Sequence, residues 1–178
     1  MIAVFLADGF EEIEALAVVD ILRRADLAVS TVGVATQNPI GAHNIQVKVD
    51  LSDTKLDISK IEAVVLPGGM PGTMNLEKSA VVQETIHYAM DNNLPVAAIC
   101  AAPSILGQAG YLNGKTATCY PGFESELSGA TYVDGVVTDG MITTGCGPGV
   151  AIDFALELVR ILVSENKANE IRRGMQCR

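Results

Sequence analysis

"PVAAICAAPSIL", residues 95–106, is the stretch that decides the fold. Its apolar residues run on without alternation, as in a strand covered on both faces. Pro103 then suits the first turn of a helix, where its missing N–H would have no partner anyway. A strand turning sharply into a helix is the repeating unit of parallel α/β architecture. Cys100 stands at the turn.

Working outward, the same unit recurs. "IAVFLA" (2–7), "AVSTVGVA" (28–35) and "IEAVVLPGG" (61–69) read as buried strands. Helices are expected over 11–25, 79–93, 103–110 and 149–165, the last with Asp153, Glu157, Arg160 and Ser164 on one stripe. The 11–25 helix is apolar on nearly every side, so it should be buried or lie at an interface. Residues 38–52 carry a hairpin pattern, with a turn around Gly41 to Asn44 and alternation through Ile45, Val47 and Val49. Two short β segments are expected around 115–120 and 135–144. No linker, repeat or low-complexity segment interrupts the chain, which reads as one domain over 1–178 with a mainly parallel sheet and helices on both faces.

Composition agrees. Of 178 residues, 49% are hydrophobic and 19% charged, the profile of a soluble globular chain. The formal charge of −9 argues against nucleic acid and anionic membrane as partners, since both select basic surface. The N-terminal residues lack the pattern of a signal peptide, and no apolar run reaches the ~20 residues of a membrane span, so a cytoplasmic location is expected. Cys100, Cys119, Cys146 and Cys177 show no C-x-x-C spacing and are expected to be free thiols, Cys177 on a mobile chain end. No metal-ligand spacing, Walker loop or dinucleotide fingerprint is present, so the expected chemistry uses neither metal nor cofactor.

Sites in parallel α/β folds lie at the carboxyl ends of strands. The features there are Asp8-Gly9, Pro67-Gly68-Gly69 and Cys100. A residue at a sharp strand-to-helix turn is pushed out over the sheet, and free helix-end amides favour a thiolate. Position alone leaves Cys100 open between this role and that of a small core residue. The loop "PGGMPG" (67–72) has backbone N–H groups that suit an oxyanion, or is an ordinary tight turn. Glu11 and Glu12 are accounted for by the helix dipole. Glu14 has Ala17, Val18 and Ile21 as its helical neighbours, so its carboxyl is expected to be buried and protonated. Periodicity alone does not single it out.

Histidine is scarce. His43 falls in the hairpin turn and His87 on a polar helical stripe, and both precede Cys100. A cysteine protease dyad needs a base within hydrogen-bond reach. Tyr120, in "TCYPGFE", is a hydrogen-bond donor but a poor base at neutral pH.

Four motifs in order, "LADGFEEIEALAVVDILRRA", "VVLPGGMPGTMNL", "AAICAAPSIL" and "TTGCGPGVAIDFAL", resemble the ThiJ/PfpI superfamily, and most of all its DJ-1 branch. The resemblance runs over residues 2–165. It implies a flavodoxin-like three-layer α/β/α sandwich, of the class I glutamine amidotransferase-like kind, usually a homodimer. It implies that Cys100 is the reactive cysteine at a nucleophile elbow, that Glu14 is the protonated carboxyl bonded to its sulfur, and that Gly69 and Ala101 supply backbone donors. Gly68, Tyr120, Cys146, Pro148 and His43 are the remaining pocket candidates. The function implied is glyoxalase or deglycase chemistry on α-oxoaldehydes or glycated protein groups. The alternatives are a redox sensor or redox-regulated chaperone working through a Cys100 sulfinate and, further off, a peptidase or amidase. One departure matters. Stronger glyoxalases and peptidases of the family carry a histidine where this chain has Tyr120, which weakens both readings.

Overall fold

All five residues of the first strand are buried, which requires apolar cover on both sides of the sheet. The structure, a computed structural model, describes residues 1–177. The elements are β1 (Ile2–Leu6), α1 (Glu12–Arg24), β2 (Val29–Gly33), β3 (Leu51–Ser52), β4 (Ala63–Leu66), α2 (Gly72–Lys78), α3 (Ala80–Asp91), β5 (Val96–Ile99), α4 (Pro103–Gln108), β6 (Thr116–Ala117), β7 (Thr131–Tyr132), β8 (Val136–Asp139), β9 (Ile142–Gly145), α5 (Ala151–Leu162) and α6 (Glu165–Gly174).

The main sheet has seven strands in the order β3-β2-β1-β4-β5-β9-β8. Every pair is parallel except β8 with β9. A small parallel pair, β6 with β7, stands apart. Alternate side chains feed two cores. On one face Ile2, Val4 and Leu6 pack with Val18 and Leu22 of α1, Phe154 and Leu158 of α5 and Ile171 of α6. On the other, Ala3 and Phe5 pack with Leu76 of α2, Val82 and Ile86 of α3 and Ile105 of α4. The result is the three-layer flavodoxin-like α/β/α sandwich.

The chain builds β1, β2 and β3 outward to one edge, then returns to lay β4 on the other side of β1. The reversal opens a crevice at the carboxyl ends of β1 and β4, the place where such sheets bind their ligands. α1 follows β1 there, the Gly68–Gly69 loop follows β4, and Cys100 follows β5.

The expected hairpin over 38–52 forms loosely around the expected turn, with one antiparallel bridge, Ile40 with Gln46, and single N–H bonds from Gly41, Val47 and Val49 to the Ile45, Pro39 and Gln37 carbonyls. Pro39 has no N–H to donate, and the His43 and Ile45 N–H groups bond to Glu12 instead, so no regular ladder forms. Its final residues join the main sheet as β3, parallel to β2. Cys119 lies beyond the two-residue β6, not within a strand. Cys177 sits where its N–H donates to Arg172 at 3.1 Å, closing α6, rather than on a loose end.

Candidate functional site

Cys100 adopts φ +66°, a left-handed conformation uncommon for non-glycine residues. Two bonds hold it there. Its N–H donates to the Gly145 carbonyl at 2.8 Å, and its own carbonyl accepts from the Tyr120 N–H at 2.7 Å. Regular alternation along β5 would send Cys100 to the α3 face. The left-handed turn sends it instead to the core beneath α1 and α5. The residue is 9% exposed.

Glu14, on the first turn of α1, is fully buried against it. Its Oε2 accepts from the Gly68 N–H at 2.8 Å. Its Oε1 is buried with no hydrogen-bond partner. The Cys100 thiol faces the carboxyl. Gly68 must be glycine for this approach. A Cβ there would stand 2.6 Å from the Cys100 Cβ and 2.8 Å from Glu14 Oε2.

Electrostatics follow from this packing. Burial raises the Glu14 carboxyl to about 7, against the Gly68 and Cys100 hydrogen bonds, and the nearby Glu11 charge adds to the rise. Burial also lifts the Cys100 thiol, to about 12, reinforced by the Glu14 charge and its hydrogen bond and opposed by the Gly69 and Ala101 N–H groups at the sulfur. The net direction for Cys100 is upward. The helix-end amides expected to favour thiolate are outweighed by burial. The two groups act as a coupled pair, losing one proton near 7 and the second near 12. In the singly protonated pair, a proton on Glu14 removes its repulsion and leaves an O–H that can donate to sulfur. A thiolate at neutral pH therefore depends on Glu14 keeping that proton.

Cys100, Glu14, Gly68, Gly69 and Ala101 thus come together. Tyr120 reaches the site by its backbone, and its half-exposed ring lies over Gly147. Cys146 follows Gly145, the register partner of Ile99, so it stands beside Cys100 at the end of the neighbouring strand. Pro148 opens the turn before α5. Neither histidine is bonded to Cys100. His87 meets Tyr111 and Asp91 on α3. His43 Nδ1 lies 2.9 Å from Glu12 Oε2.

Glu12 was the residue that helix-dipole reasoning undervalued. It is buried, and its Oε1 accepts from the His43 N–H at 2.8 Å and the Ile45 N–H at 3.4 Å. The signal was available in the chain. A carboxylate in a helix's first turn needs partners once buried, and a nearby glycine turn supplies free N–H groups. Glu11, Glu12 and His43 each bring a ligand atom within 4.8 Å of the others, a spacing that suits a cation. The Glu12 oxygens are already occupied by the turn, so the cluster serves here as a clamp on residues 41–45.

The comparisons agree with this geometry. Residues 1–161 match the model of the DJ-1/PfpI family. Protein dj-1beta of Drosophila melanogaster is 35% identical over 176 residues, covering 97% of this chain and 94% of its own. A deglycase of Pyrococcus abyssi is 32% identical over 165 residues, covering 90% of this chain and 98% of its own. The structure of oxidized Toxoplasma gondii DJ-1 superposes with a TM-score of 0.94 at 30% identity, over 98% of this chain and 97% of that one. The chain belongs to the DJ-1/PfpI family.

Proposed function

We propose that this chain is a cysteine-dependent protein of carbonyl and oxidative stress defence that acts on α-oxoaldehydes or the adducts they leave on proteins. The observation that carries this is the left-handed Cys100 facing the buried Glu14 carboxyl. The kinship with a Pyrococcus abyssi deglycase supports it. In the proposed reaction the Cys100 thiolate adds to the aldehyde carbon of methylglyoxal. A C–S bond forms, and the carbonyl electron pair moves onto oxygen, where the Gly69 and Ala101 N–H groups and the Glu14 proton receive it. Glu14 then moves the proton of that carbon to the neighbouring one, and the hydroxyl proton passes to the former ketone oxygen, giving a lactoyl thioester. Water cleaves the thioester to lactate and frees Cys100. Neither metal nor cofactor enters these steps. The test is lactate formation from methylglyoxal by the wild type and Cys100→Ser. Turnover lost in the variant is expected; equal, near-background rates would remove the reading.

A second reading rests on the absence of any histidine bonded to Cys100. Without that base, slow turnover and oxidation of the thiol to sulfinate, held by the same N–H groups and Glu14, describe a redox sensor or redox-regulated chaperone. Mild peroxide followed by mass analysis separates the two. Sulfinate confined to Cys100 supports it, and oxidation spread over all four cysteines counts against it. Peptidase or amidase chemistry is the weakest reading, because His43 is engaged with Glu12.

The reading includes a homodimer in the cytoplasm. Ile13, Leu16 and Ile45 are exposed beside the start of α1, an apolar patch suited to a second copy. Light scattering at micromolar concentration tests this, and a monomer would refute it. Among the described residues no helix is long and apolar enough to cross a membrane.

A further inference from the structure

Two cysteines outside the Cys100–Glu14 pair lie on neighbouring segments. After β6 the chain passes through Thr118, Cys119 and Tyr120. After β9 it passes through Cys146 and Gly147. The Thr118 N–H donates to the Thr144 hydroxyl at 2.9 Å. Two residues further on, the Tyr120 ring lies against Gly147, 3.2 Å from where a Cβ would sit. The segments therefore run side by side in one direction, and Cys119 and Cys146 fall between these two contacts.

Their faces agree. Gly145 looks toward Ile99 and Phe154. Alternation turns Cys146, the next residue, to the opposite face, where Cys119 is buried. A charge on Cys146 is close enough to raise the Cys119 thiol. Both are free thiols, Cys119 fully buried and Cys146 half-buried. The Cys119 segment lies outside any strand, and Gly122 within it is left-handed.

The same two segments hold the main chain of Cys100, through Gly145 on one side and Tyr120 on the other. We propose that Cys119 and Cys146 form a reversible disulfide that ties together the two segments framing Cys100. The oxidant is a small-molecule disulfide, RSSR. The more accessible Cys146 loses its proton and attacks one sulfur. This forms a mixed disulfide and releases one thiolate, which takes up a proton as RSH. Cys119 then loses its proton and attacks the Cys146 sulfur, releasing the second RSH. The two cysteines give up two electrons and two protons, and RSSR receives them. The Cys100 thiol, on the other face of the sheet, takes no part. The proposal therefore stands or falls independently of the reaction at Cys100.

The experiment treats the whole chain with oxidised glutathione, blocks remaining thiols with N-ethylmaleimide in denaturant, and digests without reductant. The expected product is a peptide pair joined through Cys119 and Cys146, separated again by dithiothreitol. It is lost in both Cys146→Ala and Cys146→Ser, and at this half-buried position at least one should fold. Iodoacetamide should modify Cys100 in the purified linked protein at least about twofold more slowly than in the reduced one, because pinned segments open less readily. Stable glutathione on Cys146 with Cys119 still free, or Cys119 joined to Cys100, would overturn the pairing. A link that leaves the Cys100 rate unchanged would overturn its action on the site.

Discussion

Glu12 and Glu14 are two residues apart on one helix, both buried, and their carboxyl groups go opposite ways. Burial raises each. At Glu12 it is outweighed by the His43 ring and by the backbone N–H groups that its oxygens accept, and the carboxyl ends below its ordinary value. At Glu14 the compensation is one N–H and one thiol, and the carboxyl ends near 7. The side of α1 facing the 41–45 turn thus holds an anion, and the side facing Cys100 holds an acid. Burial is common to both; the number of donors meeting each oxygen decides the proton. A clamp and a proton-bearing site are built from the same residue type within one helical turn.

The largest expected effect lies on the acid side. Between the ordinary carboxyl value of 4.5 and about 7, folded Glu14 keeps a proton that the unfolded chain has released. Stability should therefore fall as pH rises across that window, by about 3 kcal/mol from this group. In Glu14→Gln this contribution to the slope disappears, while the fold is retained. Urea unfolding at pH 4.5, 6 and 7.5 measures it, and parallel slopes in the two proteins would break the contrast. The rise of Cys100 alkylation through pH 7 should vanish in the same variant, since the pair no longer has its first proton to lose.

Gly68→Ala attacks the same side through space. The new methyl would meet the Cys100 Cβ, Glu14 Oε2 and the Ile99 carbonyl, all within 3 Å. Relieving that crowding should cost about 2 kcal/mol of stability and separate the pair. Urea unfolding gives the first number. Loss of the pH 7 step in Cys100 alkylation reports the second. Unchanged alkylation would mean that Glu14 and Cys100 do not depend on their close approach.

These contrasts mark how far the chain could be read directly. The buried strands at 2–7, 61–69 and 95–100 were legible because parallel strands covered on both faces are apolar without alternation. α6 was not, because only Ala168 and Ile171 within it, with Met175 just beyond its end, meet the core and most of its other positions are polar. α2 was hidden by the Gly/Pro loop that it continues. Cys100 was legible as a strand-to-helix turn, but its +66° φ was not, since that depends on Gly145 and Tyr120 arriving from later segments. Glu14 stood out little from its neighbours in an apolar helix. What distinguishes it is the Gly68 N–H, 54 residues away. Glu12 misled for the same reason, because its partners belong to the distant 41–45 turn.

The smallest effect is expected on the clamp side. Glu12→Gln keeps an amide oxygen that can accept one of the turn's N–H bonds but loses the charge that strengthens them. Stability at pH 7 should drop by about 1 kcal/mol. The lowered Glu12 carboxyl adds stability above 4.5 that is lost as pH falls through its still lower folded value. Glu12→Gln should accordingly flatten the acid limb below pH 4.5 and keep the fall between 4.5 and 7 that belongs to Glu14, with a further change only from 6.5 upward, where the His43 ring loses its partner. His43→Ala probes the clamp from solvent. Hydrogen bonding to Glu12 raises the His43 ring above 6.5, so its contribution is present in acid and fades as pH rises through that raised value. Its loss should lower Tm slightly at pH 6 and less at pH 9. An equal shift at both would mean that the imidazole's packing, not its charge, holds the turn.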